Sequence, residues 1–162
     1  MSRRRRVEEF EFLPATVVAV LARMDALSAA HDGWINVLPG VPEEEVDAPS
    51  GGVFSALFGT AQAPVSMCTW IPSAAGRRGA SEETVGVLHP RGRVVVRQLE
   101  TLGVPLPGGW RVRQDHGRRG LVVHPPPETP HAVVLDWMLR AGAALAIVPL
   151  TGTWQARVFL PR

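Results

Sequence analysis

The stretch TPHAVVLDWMLRAGAAL, Thr129 to Leu145, constrains the rest of the chain more than any other. Thr129 suits a helix N-cap and Pro130 the first helical position. Beyond them Val133, Leu135, Trp137, Met138, Leu139, Ala141, Ala144 and Leu145 surround much of the helix, and Asp136 and Arg140, four apart, form its one polar stripe as an i,i+4 ion pair. A helix apolar over most of its girth must be covered by other elements. Asp136, Arg140 and Pro149 break the apolar run 132–150, which favours a core helix over a membrane span.

The cover has to come from short pieces. Val17, Val20, Leu21, Met24 and Leu27 recur at helical spacing after Pro14, which suits a first helical position, and Gly33 is available as a left-handed cap. WINVLP, VSMCTWI, TVGVLH and TWQARVFL read as strands, each bounded by Pro, Gly or a polar cluster. VFSALFG reads as one or two helical turns, and SAAGRRGASEE as a small-residue polar loop. From Arg93 to Leu102 the pattern fits a helix with Val95, Leu99 and Leu102 inward, although the three consecutive valines also suit a strand. The order helix, strands, helix, hairpin, helix, strand lacks the regular alternation of a doubly wound parallel sheet. The expectation is an α+β fold. It is a single domain over residues 7–162 with a mainly antiparallel sheet of five to six short strands, and three helices packed mostly on one face. Residues 1–6 are expected as a flexible Arg-rich tail.

The chain's 162 residues suffice for one core without a staple. Its one cysteine, Cys68, forbids an internal disulfide. MSRRRR is followed by VEEFEF, where a secretory signal needs an uncharged apolar run, so a cytoplasmic setting is expected. All 17 basic residues are Arg, which reads as the imprint of a GC-rich genome rather than a need for guanidinium chemistry. The distribution of charge is more telling than its total. Residues 7–71 hold one Arg against nine acids, and residues 72–120 hold nine Arg against four.

Chemistry-bearing residues concentrate in GWRVRQDHGRRGLVVHPPPETPH, 109–131. With Gly117–Gly120 as a four-residue loop, His116 faces Leu121, Gln114 faces Val123 and Val112 faces Pro125, which places Trp110, Val112, Gln114 and His116 on an apolar side. Arg111, Arg113, Asp115, Val122 and His124 then share a wet side, Arg113 opposite His124 and Asp115 opposite Val122, with Arg118 and Arg119 at the tip. That reading makes the cluster a solvated hairpin face, with a patch for binding anions or a partner as the alternative.

Other chemistry fares poorly. One Cys and five scattered His give no metal-ligand spacing, and no cofactor motif is present. Without lysine a phosphate loop of the P-loop type is excluded. No nucleophile elbow occurs, and Cys68 within a strand reads as a small buried hydrophobe. No catalytic residue and no metal ligand is assigned. The binding candidates are Arg77, Arg78, Arg111, Arg113, Asp115, His116, Arg118 and Arg119. The leading expectation is an interaction domain without catalysis, binding a partner protein or a second copy of itself. The acidic residues Glu43, Glu44, Glu45 and Asp47 and the basic tips would be its contact points. The alternatives are nucleic-acid association through Arg3–Arg6 and the basic segment 77–119 and, least favoured, a small-molecule enzyme around Asp115 and His116.

Overall fold

A computed structural model describes residues 5–46, 64–76 and 79–162. The apolar segment 53–58, Asp47, Arg77, Arg78, Arg3 and Arg4 lie outside the described residues. The elements run β1 (Val7–Phe12), α1 (Val18–Ala30), β2 (Trp34–Pro39), the single helical turn α2 (Glu43–Val46), β3 (Met67–Ile71), β4 (Ala74–Gly76), β5 (Gly79–Ser81), β6 (Thr84–Leu88), α3 (Val96–Thr101), β7 (Arg111–His116), β8 (Gly120–His124), α4 (His131–Leu145) and β9 (Trp154–Phe159).

Seven strands form one antiparallel sheet in the order β1-β9-β2-β3-β6-β8-β7, and β4 and β5 form a separate two-stranded ribbon. The architecture is α+β, with a larger sheet than the sequence predicts. The edge strand β1 accounts for the larger sheet, and β4 and β5 add a separate ribbon. VEEFEF is an edge strand, its alternation disguised because Glu8 occupies an inward position beside Phe10 and Phe12 and pairs there with Arg23 at 2.7 Å. The expected polar loop 73–83 folds back on itself as the β4–β5 ribbon.

Alternation along each strand puts Phe12, Ile35, Val37, Cys68, Trp70, Val85, Val87, Leu121, Val123, Trp154, Ala156 and Val158 into one core with the buried residues of α1, α3 and α4. α4 supplies Val134, Leu135, Trp137, Met138, Leu139, Ala141, Gly142 and Leu145, all buried. Removing such side chains from water contributes about 1.5–3 kcal/mol for each large one. A Cβ on Gly142 would lie 3.0 Å from Trp154 and 3.2 Å from the Cys68 sulfur, so the helix backbone rides close on the sheet. The Trp137 indole donates to the Pro105 carbonyl at 3.1 Å, and its ring meets Trp110 at 5.2 Å between centroids. No helix among the described residues is long and apolar enough to cross a membrane.

Several local expectations need correction. Pro14 lies in a turn, and α1 begins at Val18; the left-handed residue closing that helix is His31, not Gly33 alone. The Thr129 hydroxyl donates to the Pro126 carbonyl at 2.6 Å and does not cap α4, whose first helical residue is His131 rather than Pro130. Val133 and Leu102 point outward, because only part of each helix faces the sheet. α3 is a helix, but three residues shorter at its start than the valine run implies. The Asp136–Arg140 pair forms at 2.9 Å.

Arg5 does not hang free as tail. It pairs with Asp32 at 2.6 Å, donates to the Leu160 carbonyl at 3.0 Å and lies over the Trp34 ring, which stacks on Phe159. That guanidinium, with the Arg162 and Gly33 amides, holds the Asp32 carboxyl down to about 2 from 3.8. A depressed carboxylate stabilises the fold above its unfolded value and loses that contribution as pH falls through its folded one. Acid unfolding of the parent should therefore steepen between about pH 4 and 2, while Asp32→Asn, followed by circular dichroism, loses this step.

Candidate functional site

The hairpin forms, but in another register. Its connection has three residues, Gly117–Arg119, with Gly120 at φ +83° paired to His116. Asp115 faces Leu121, and Gln114 faces Val122. Between Val112 and Gln114 the ladder shifts by one residue, so Val112 faces Val123 and Arg111, not Arg113, faces His124. This bulge at Arg113 breaks the strict alternation on which the sequence-level register depends. Its effect is to turn Asp115 from the wet side to the inner side, beside buried Leu121.

There Asp115 meets the start of α3. Its two carboxylate oxygens accept the amides of Val95 at 2.9 Å and Val96 at 3.1 Å, taking two donors that a helix start leaves without partners. His116 Nδ1 accepts the amides of Arg118 and Arg119 at 3.0 and 3.1 Å, and Gln114 donates to the carbonyls of Arg119 and Gly120. The tip is thereby fixed by its own side chains. Asp115 serves α3 while His116 serves its own loop, so these two residues share no reacting position.

Two glycines press the tip onto its neighbours. A Cβ on Gly117 would come within 2.5 Å of the Gly92 carbonyl oxygen and 2.9 Å of the Arg93 nitrogen, and one on Gly120 within 2.5 Å of the Val87 carbonyl oxygen. The connector 89–95 thus runs under the hairpin tip. Its Arg91 donates to the carbonyls of Ala144, Leu145 and Ala146 at 2.9, 3.0 and 3.2 Å, closing the C-terminus of α4.

This packing sets the tip, with Arg118 and Arg119, on the connector that carries Arg93, and Asp115 ties the start of α3, which carries Arg97, to β7 with Arg113 at its bulge; we call this group the basic corner. All five are exposed, and none pairs with a carboxylate among the described residues. Arg111, a sequence candidate, is instead paired with Glu82. Of the eight predicted binding residues the structure brings Arg113, Arg118 and Arg119 into the corner, with Asp115 and His116 as its supports. Arg93 and Arg97 belong there too, and only the fold shows why: the Gly92–Arg93 backbone touches Gly117.

Ser66 and His89 are the buried polar side chains of the described residues, 0% and 5% exposed, and His89 lies three residues before Gly92 in the connector. Sequence reasoning passed over both, although the inward alternation Val85, Val87, His89 and Ser66, Cys68, Trp70 marks them. Cys68, also buried, donates weakly to the Met138 carbonyl, and burial pushes its thiol up to about 12, so it stays protonated near neutrality. No group of three or more His, Cys, Asp or Glu among the described residues is placed to hold a metal ion.

Two substitutions test the supports. Gly120→Ala meets both a positive φ and the Val87 carbonyl, and is expected to lower stability by about 2 kcal/mol in urea denaturation. Asp115→Ala is expected to cost about 1–2 kcal/mol and to strip hydrogen-exchange protection from Val95 and Val96, against about 0.5 kcal/mol or less for Asp136→Ala at the exposed ion pair. No family model, no curated protein and no solved structure matches this chain.

Proposed function

We propose that this chain is an interaction domain, one folded unit over residues 7–162, that docks an acidic protein surface on its basic corner without carrying out a reaction. One observation carries the reading: Arg93, Arg97, Arg113, Arg118 and Arg119 are all exposed on elements that the hairpin tip and Asp115 tie together, and none pairs with a carboxylate among the described residues. Guanidinium groups held this way suit carboxylates, which they engage through paired N–H donors. A complementary acidic surface would be steered in over a distance set by salt.

The aromatic residues favour protein over nucleic acid as the partner. Single-stranded nucleic acid is bound largely by stacking bases on exposed rings. Here Trp70, Trp137 and Trp154 are buried, Trp110 lies against Trp137, and Trp34 against Phe159. The far edge of the sheet, β1, carries exposed Glu11, and α2 exposed Glu43 and Glu44, so a second copy of the chain offers one such acidic surface.

The test is fluorescence anisotropy with labelled polyglutamate and with random DNA at about 50 mM salt, alongside light scattering of the protein alone. Polyglutamate binding that weakens with salt and falls about tenfold or more in Arg118→Glu/Arg119→Glu supports the proposal. Tighter binding to DNA than to polyglutamate shifts the assignment to a nucleic-acid protein. A monomer that binds neither ends both readings.

A further inference from the structure

His89 is the one buried ionisable imidazole of the described residues, and its position is unusual. The β3–β6 ladder ends at Met67 and Leu88; Ser66 and His89 are the next residues on each side, and both are buried. Neither ring nitrogen of His89 nor the Ser66 hydroxyl has a hydrogen-bond partner among the described residues. The chain leaves this point through buried Pro90 into Arg91 and the Gly92–Arg93 turn on which the hairpin tip sits.

Two charges reach the ring. Asp115, on β7, favours the protonated form, while Arg91, on the connector, opposes it. Burial opposes it most strongly, and the balance holds the imidazole below its usual 6.5. From β3 come Ser66 and the protonated Cys68 thiol, both uncharged. α3 turns Val95 and Leu99 inward and keeps Arg97 and Glu100 outside. The C-terminal carbonyls of α4 are already occupied by Arg91.

Among the described residues the carboxylate that acts on an imidazolium created in this place is Asp115, and that carboxylate is holding α3. We propose that His89 is an acid-operated latch beneath the basic corner: on taking a proton from solvent it competes for Asp115, frees the Val95 and Val96 amides, and lets α3 and the Gly92–Arg93 turn part from the hairpin tip. The corner's arginines then no longer share a face, so acidification releases an anionic partner. This sign is the reverse of the ordinary one, because acid adds positive charge to a protein and tightens its hold on polyanions. The release of a partner rests on the docking role proposed above; the opening of α3 does not.

The experiment follows amide hydrogen exchange at Val95 and Val96 by NMR in the whole chain and in His89→Gln, at about pH 7.5 and about pH 5.5, as protection factors corrected for intrinsic exchange. A group whose folded titration lies below its unfolded one gives full stability above the unfolded value and loses it as pH falls beneath that value. Protection in the parent is expected to fall by about tenfold for each pH unit separating the folded from the unfolded His89 titration, and to stay constant in His89→Gln. Dextran sulfate, whose groups remain ionised throughout, should bind the parent more weakly at the lower pH and bind His89→Gln at least as tightly there. Unchanged protection in the parent, or the same loss in His89→Gln, overturns the latch. Loss of protection with no dextran sulfate binding at either pH retains the latch and removes the docking role. If His89→Gln does not fold, the parent's own titration decides. One shared midpoint for the His89 ring and the Val95 and Val96 amides supports the proposal, and separate midpoints refute it.

Discussion

The fold hangs on laying α4 against the inner face of the sheet. Eight of its fifteen residues are out of water, and Gly142 lets the helix backbone approach Trp154 and Cys68 closely enough that no side chain fits between. The end of the helix is then sealed by Arg91, which arrives from the far end of β6 and covers three carbonyls at once. The connector that carries Arg91 also passes under the hairpin. Core packing and the placement of the charged corner are therefore one geometric problem rather than two.

The corner is basic for a reason that composition does not convey. The hairpin holds one acidic residue, Asp115, and the backbone amides at the start of α3 occupy both of its oxygens. A carboxylate engaged in this way remains an anion but is turned inward, away from Arg113, Arg118 and Arg119. Helix capping thus leaves the surrounding arginines without a paired carboxylate among the described residues. Electrostatics elsewhere is largely local and compensated, as Arg23 with Glu8, Arg157 with Glu9 and Arg5 with Asp32 show.

Much of this fold could be read from the residues. α4 announced itself by apolar girth and by its Asp136–Arg140 stripe; β2, β3, β6 and β9 announced themselves by alternation between turn residues; and the hairpin by its glycines. The failures have physical causes. β1 hides because an edge strand buries little, and Glu8 can face inward where Arg23 reaches it. The hairpin register fails because a bulge at Arg113, with no glycine to flag it, exchanges the sides of Gln114, Asp115 and His116 after it relative to Arg111 and Val112 before it. Asp115 was legible as a polar residue but not as a helix cap, since its partners lie nineteen and twenty positions away in the chain. His89 and Ser66 obeyed the alternation; polar side chains at inward positions are easily assigned to the strand's end instead.

The strand order has a consequence for how the chain is made. β9, translated after every other described element, lies between β1 and β2, and pairs with both along six positions. Until it emerges from the ribosome, β1 has no ladder and the outer edge of β2 stands open, with Ile35, Val37 and Phe12 lacking the Trp154, Ala156 and Val158 that complete their layer. Vectorial synthesis thus holds the sheet unfinished while everything between β1 and β9 is made, and the closing step joins segments about 150 residues apart. A nascent chain of this topology keeps apolar surface of β1 and β2 uncovered until β9 arrives.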